Sequence, residues 1–201
     1  MLSQLDNIIF PDRCEVLEVA PQRYVYPIYK NGYSSLSNSG FRSLAMIELP
    51  ELDTVEIFVR EPVERFFSGL SSYVEYNSHL DKDTLLFMAG HHLFINRHFA
   101  PQFHWLVNLR RFTRAKIKIN PIEELKTITN LYVNENKNKV QYDIVNFPKV
   151  TFYMQLDKVL TEIYLGKTVS FNEIVKSIHE TYPDVYEEII QRSKDLCNVL
   201  D

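Results

Sequence analysis

The segment Thr54 to Tyr76, TVEIFVREPVERFFSGLSSYVEY, constrains the fold more than any other stretch of the chain. A run rich in β-branched and aromatic residues ends at Arg60. Two residues later Pro62 opens a stretch in which Val63, Phe66, Phe67, Leu70 and Tyr73 share one helical face. Proline suits the first helical position, where its missing N–H would have had no partner in any case. The same handover from strand to helix recurs. YVYPIY, Tyr24 to Tyr29, precedes a helix predicted from Ser34 to about Met46, with serines after Gly32 available as caps. RAKIKI precedes NPIEELKTITNLYV, where Asn120 is the predicted cap and Pro121 the first helical residue. EVLEVA, Glu15 to Ala20, adds a strand before Pro21 and Gln22. Strands that alternate with helices predict an α/β domain with a central parallel sheet flanked by helices, and ligands in such sheets sit beyond the carboxyl ends of the strands.

Two further regions read as helical. DKDTLLFMAGHHLFIN begins with acids that offset the positive end of a helix, and the C-terminal part, roughly Thr168 to Val199, carries two amphipathic helices broken near Pro183. Asn134 to Asp143 is polar, lacks periodicity and reads as an exposed loop. With 201 residues, 45% hydrophobic and 24% charged, one domain over residues 1–201 is expected. A formal net charge of -4 argues against broad binding to nucleic acid or to an anionic membrane, so any polyanion site must be local. Cys14 and Cys197 form neither a disulfide framework nor a zinc site, which fits a reducing compartment. No stretch reaches the ~18 apolar residues of a membrane span, and the expectation is a soluble, cytoplasmic protein.

Two strand ends carry the chemistry. In YPIYKNGYSSL, Gly32 lets the backbone curl, Ser34, Ser35 and the loop N–H groups can donate to an oxyanion, and Lys30 can neutralise it. In FVREPVERFFSGL, Arg60 ends the strand and Ser68 follows within the helix, where both can reach one anion. Bland readings stand beside these: a solvated turn with capping serines at Lys30, a surface ion pair of Arg60 with Glu61 or Glu64, and a plain helix-face serine at 68. The loop is not a Walker A motif, because its lysine precedes the glycine.

The order of these features resembles that of sulfotransferases of the carbohydrate type, which use 3'-phosphoadenosine 5'-phosphosulfate. Lys30-Asn31-Gly32-Tyr33-Ser34-Ser35-Leu36 resembles the family's 5'-phosphosulfate loop, with Tyr33 in place of the usual small hydroxyl residue. Arg60-Glu61-Pro62 with Ser68 is similar to the 3'-phosphate site, and His98-Phe99-Ala100-Pro101-Gln102 to a histidine-aromatic-x-Pro-Gln segment. The resemblance covers residues 24 to 105. It implies a P-loop-like single domain that transfers a sulfuryl group to a hydroxyl or amine of a small-molecule or glycan acceptor, with no metal required. Lys30 would stabilise the leaving group, Lys30 to Ser35 would hold the 5' end of the donor, and Arg60 with Ser68 the 3'-phosphate. The Golgi members carry an amino-terminal membrane anchor; none is expected here.

An acceptor hydroxyl needs a general base. His98 is the first candidate, with His91, His92, His104, Glu48 and Glu64 as competitors. His91 and His92 also suit a helix end, where a cation meets the carbonyl dipole. Phe99, Phe103 and Trp105 fit a core better than an acceptor platform. The cation-rich run Arg110 to Lys118 could be a solvated face or a contact for an anionic acceptor. A phosphotransferase of related fold, or a catalytically silent domain binding a nucleotide or anion, remain alternatives, and oligomeric state is not encoded legibly.

Overall fold

In the computed structural model of the chain, residues 14–91, 98, 100–132 and 147–192 are described. They form a mixed α/β fold around one six-stranded sheet. The strands are β1 (Leu17–Ala20), β2 (Arg23–Val25), β3 (Arg42–Ser43), β4 (Thr54–Val59), β5 (Lys116–Pro121) and β6 (Thr168–Val169). Their spatial order is β3-β1-β2-β4-β5-β6. The helices are α1 (Tyr33–Ser37), α2 (Pro62–Tyr76), α3 (Lys82–His91), α4 (Gln102–Arg110), α5 (Pro148–Lys158), α6 (Phe171–Thr181) and α7 (Pro183–Arg192). The predicted loop at 134–143 and the N-terminal residues before Cys14 lie outside the described residues.

The expectation of a parallel sheet holds at its centre and not at its edges. β2, β4 and β5 run parallel, whereas β1 pairs antiparallel with β2 and β3, and β6 pairs antiparallel with β5. The two residues Pro21 and Gln22 separate β1 from β2, too few for the crossover that a parallel pair needs, and Gln22 takes a positive φ of 60° to close the hairpin. β2 is shorter than predicted. Tyr26 N–H still bonds Glu56 O at 2.9 Å, but Pro27 then removes the next donor.

β4 alternates its side chains between two unequal layers. Val55, Ile57 and Val59 enter a large core with Phe66 and Leu70 of α2, Leu106 and Leu109 of α4 and Val150 and Leu156 of α5. Phe58 faces a smaller cluster on the other side with Val25, Leu36, Leu125 and Ile128. Glu56 shares that side and is held by Arg23, Lys118 and Asn120.

Two predicted helices need correction, and two observed ones were not foreseen. The helix expected from Ser34 to Met46 stops at Ser37; Gly40 follows at φ 72°, and Met46–Glu51 forms a separate 3-10 helix. The helix expected after Asn120 is a 3-10 turn over Ile122–Thr127, with Asn120 inside β5 donating to Glu56 at 3.0 Å rather than capping. The helices α4 and α5 have no counterpart among the predicted elements. In α5, Val150, Tyr153, Met154, Leu156 and Asp157 are buried while Thr151 and Lys158 are exposed, and the polar Asp157 on the buried side blurs the apolar stripe that sequence reading detects. Elsewhere the signals hold: Pro62 opens α2, Asp81 accepts from Thr84 N–H at the start of α3, and α6 and α7 divide at Pro183.

Candidate functional site

The parallel register of β2 and β4 pairs Val25 with Glu56, so the continuation of β2 brings Lys30 to the level where β4 ends at Arg60. The two predicted cation positions are neighbours at the carboxyl ends of central strands. Their charges interact. The Lys30 ammonium is depressed below its ordinary pKa, first by burial and then by the positive charges of Arg60 and Arg65, with Glu75 pulling the other way. Arg60 and Arg65 stand at the start of α2 and Lys30 reaches farther along it, near enough to feel both charges, and positive charge so grouped favours an anionic ligand.

Lys30 has φ 67°, a left-handed conformation uncommon for a residue with a Cβ. Its Nζ donates to Ser72 Oγ at 2.7 Å. Ser72 lies one helical turn beyond Ser68, so the lysine reaches the helix face that carries both serines. Gly32 at φ 80° is the N-cap of α1, a left-handed conformation that favours glycine, and a Cβ there would also push against the movable end of the Leu125 side chain.

The other loop residues separate into two kinds. Asn31 is buried, with its N–H on Ile28 O and its Nδ2 on Phe58 O and Gln102 Oε1; it binds the loop to the sheet. Tyr33 stacks on Tyr29 with ring centroids 4.0 Å apart and donates to Glu15 Oε2 at 3.0 Å, while burial, the leading cause, pushes its phenol up to about 12. Ser34 is exposed and Ser35 half-buried at the start of α1, whose first-turn N–H groups have no partner within the helix.

Arg60 is one-third exposed and its Nε makes a long 3.4 Å contact to Glu64, the surface pair weighed above. Its backbone is held more firmly. Gln102 Oε1 accepts Arg60 N–H at 3.0 Å and Gln102 Nε2 donates to Arg60 O at 2.9 Å. Ser68 is half-buried on α2. A cavity of about 380 Å³ adjoins Arg60 and Lys158, but four carboxylates, Glu61, Glu64, Glu123 and Glu162, line it as well, and none of Lys30, Ser34, Ser35 and Ser68 does.

Beneath the tips lies a buried charged layer that sequence reasoning missed. Arg65, 1% exposed, donates from Nε to Tyr29 O at 3.1 Å and from Nη1 to Ala100 O. Asp157 of α5 accepts from Gln102 N at 2.7 Å and Phe103 N at 2.8 Å, supplying the N-terminal cap that Pro101 cannot. Burial raises the Asp157 carboxyl above its ordinary value, and the Arg65 charge and these N–H groups oppose the rise. Arg65 belongs to the quoted EPVER stretch, but nothing local marks Asp157.

Among the base candidates, His98 lies edge-on to Tyr29 at 5.4 Å between ring centroids and 5.7 Å from the Tyr76 ring, beside the Lys30 loop. His104 is half-buried with its Nδ1 shut from solvent, and burial followed by the Arg65 charge lowers it to about 3, too weak a base to take an alcohol proton at neutral pH. Glu48 pairs with Arg42 at 2.8 Å by the edge strand β3, three places from β4 in the sheet. His92, Phe99 and the His91 side chain lie outside the described residues. Phe103 and Trp105 are core residues, 5% exposed each. The cationic run leads into β5 at Lys116, opposite Thr54 at the start of β4, so it occupies the other end of the sheet from Lys30 and Arg60.

Among the described residues no cluster of His, Cys, Asp and Glu could hold a metal ion, and no helix is long and apolar enough to cross a membrane. No family model, curated protein or solved structure matches the chain. The functional reading therefore rests on the residues and their geometry.

Proposed function

We propose that the chain is a sulfotransferase of the carbohydrate type, a P-loop-like single domain. It would move a sulfuryl group from 3'-phosphoadenosine 5'-phosphosulfate to a hydroxyl or amine of an acceptor, with a glycan first among acceptors. The observation that carries the reading is the adjacency of Lys30 and Arg60 at neighbouring carboxyl ends of β2 and β4, close enough that the charge of Arg60 depresses the Lys30 ammonium. A donor with phosphates at both the 3' and 5' positions needs two cations held apart at a fixed spacing, and a cation-bearing strand end supplies each.

In this reading the 5'-phosphate sits at the Lys30 loop and the α1 start, and Arg60 with Ser68 takes the 3'-phosphate. The acceptor oxygen attacks sulfur, its proton passes to a base, with His98 first in line, and the bond from sulfur to the bridging oxygen breaks. The electron pair stays on the 5'-phosphate oxygen, giving adenosine 3',5'-bisphosphate. Lys30 exchanges its Ser72 contact for that bridging oxygen as negative charge grows there, and partial burial makes the ammonium more effective than it would be in water. Sulfuryl transfer demands alignment more than covalent assistance from the protein.

Thermal shift with nucleotides tests the reading. Adenosine 3',5'-bisphosphate is expected to raise Tm strongly and ATP weakly. Stabilisation by ATP alone would point to a phosphotransferase, and bisphosphate binding without turnover of any acceptor would point to a silent anion-binding domain.

A further inference from the structure

Gln102 is completely buried, and its side-chain amide spends its hydrogen bonds on the two strand tips rather than on its own helix. Toward β4 it satisfies both the N–H and the C=O of Arg60, the pairing that a neighbouring strand residue would make, at a level where the β4–β5 ladder has already ended at Val59 and Pro121. Toward the other tip its Oε1 takes the Asn31 amide, next in sequence to Lys30. A side chain holding both backbone groups of Arg60 restricts the dihedrals of that residue, and hence the direction in which the guanidinium leaves the strand. The same amide fixes how far the Lys30 loop stands from Arg60.

The clamp is itself braced. Gln102 N–H is bonded to buried Asp157, and Arg65 runs a second tie parallel to it, from Tyr29 O before Lys30 to Ala100 O before Gln102. A glutamate could not replace Gln102 unchanged, because an ionised carboxylate has no hydrogen to donate to Arg60 O. Gln102 need not touch the donor to matter to it.

We propose that Gln102 is a positioning residue that sets the spacing and aim of Lys30 and Arg60, and thereby the preference for a nucleotide bearing a 3'-phosphate; this inference rests on the sulfotransferase reading. The test is calorimetric titration of wild-type protein and Gln102→Met with adenosine 3',5'-bisphosphate and with adenosine 5'-monophosphate. Methionine keeps the length of the side chain without adding charge. The wild type should prefer the bisphosphate, and the variant should lose about tenfold or more of that preference, roughly the value of one misaimed charge-assisted contact. A preference that survives in the variant to within about fivefold overturns the inference while leaving the sulfotransferase reading intact. A wild type with no preference overturns both. Should Gln102→Met fail to fold, amide exchange in the wild type decides: Arg60 N–H should gain protection with the bisphosphate and not with the monophosphate, and equal protection by the two ligands overturns the inference.

Discussion

Lys30 Nζ and Ser72 Oγ are 2.7 Å apart, joining the tip of the first parallel strand to the middle of the helix that follows the second. The bond holds an ammonium group that burial and two neighbouring guanidinium groups make less comfortable than in water. Such a cation gains most from an anion that arrives beside it.

Removing that cation should therefore cost transfer more than stability. On the proposed sulfotransferase reading, Lys30→Ala is expected to lower sulfuryl transfer by about a hundredfold or more, the scale for loss of one preorganised charge at a leaving group. Ser72→Ala, which removes only the resting partner, should cost less than about tenfold. Steady-state rates with a saturating donor check both, and an unimpaired Lys30→Ala enzyme would remove Lys30 from its role.

The base is tested by pH. His98→Ala should lower turnover by about a hundredfold or more and abolish the acidic limb of the rate profile. An unchanged profile would exclude His98 and shift attention to Glu75, whose charge reaches Lys30 from the last turn of α2.

Gly32→Ala should destabilise the fold by about 1–2 kcal/mol through left-handed strain, plus whatever part of the Leu125 contact that side chain does not relieve by turning away. The added Cβ would meet the end of the Leu125 side chain. Shortening the neighbour in Gly32→Ala/Leu125→Ala should recover the steric part and not the strain, a coupling that urea unfolding of the double-mutant cycle measures.

His104 gives the molecule an acid sensitivity of known sign. Its ring is held at about 3 in the folded chain against 6.5 for the free side chain. Between those values the unfolded chain binds the extra proton, so stability falls as pH drops from 6.5 toward 3, by at most about 1.4 kcal/mol per unit. His104→Leu should remove this share. In urea unfolding at pH 7, 6, 5 and 4, the variant should gain steadily on the wild type as pH falls, and parallel curves would show that the ring is protonated without penalty.

The local grammar of the chain was enough to place β4, the Pro62 start of α2, the break at Pro183 and the two strand-end cations, because each rests on residues close in sequence. The same grammar overextended the helix at Ser34, where the left-handed Gly40 and the short strand Arg42–Ser43 intervene. It also could not say that Asn31 would turn inward while Lys30 reached a serine on the next helix. Those outcomes depend on Gln102, Arg65 and Asp157, whose hydrogen bonds join residues 42, 36 and 55 positions apart. Bonds across such separations leave no periodic mark in the sequence, since they exist only after the sheet has brought its strand ends together and the core has excluded the water that would otherwise compete for them. The sequence by itself determined which cations stand at the strand ends; the tertiary structure alone decided that one buried amide would bond the Arg60 backbone and the Asn31 side chain beside Lys30.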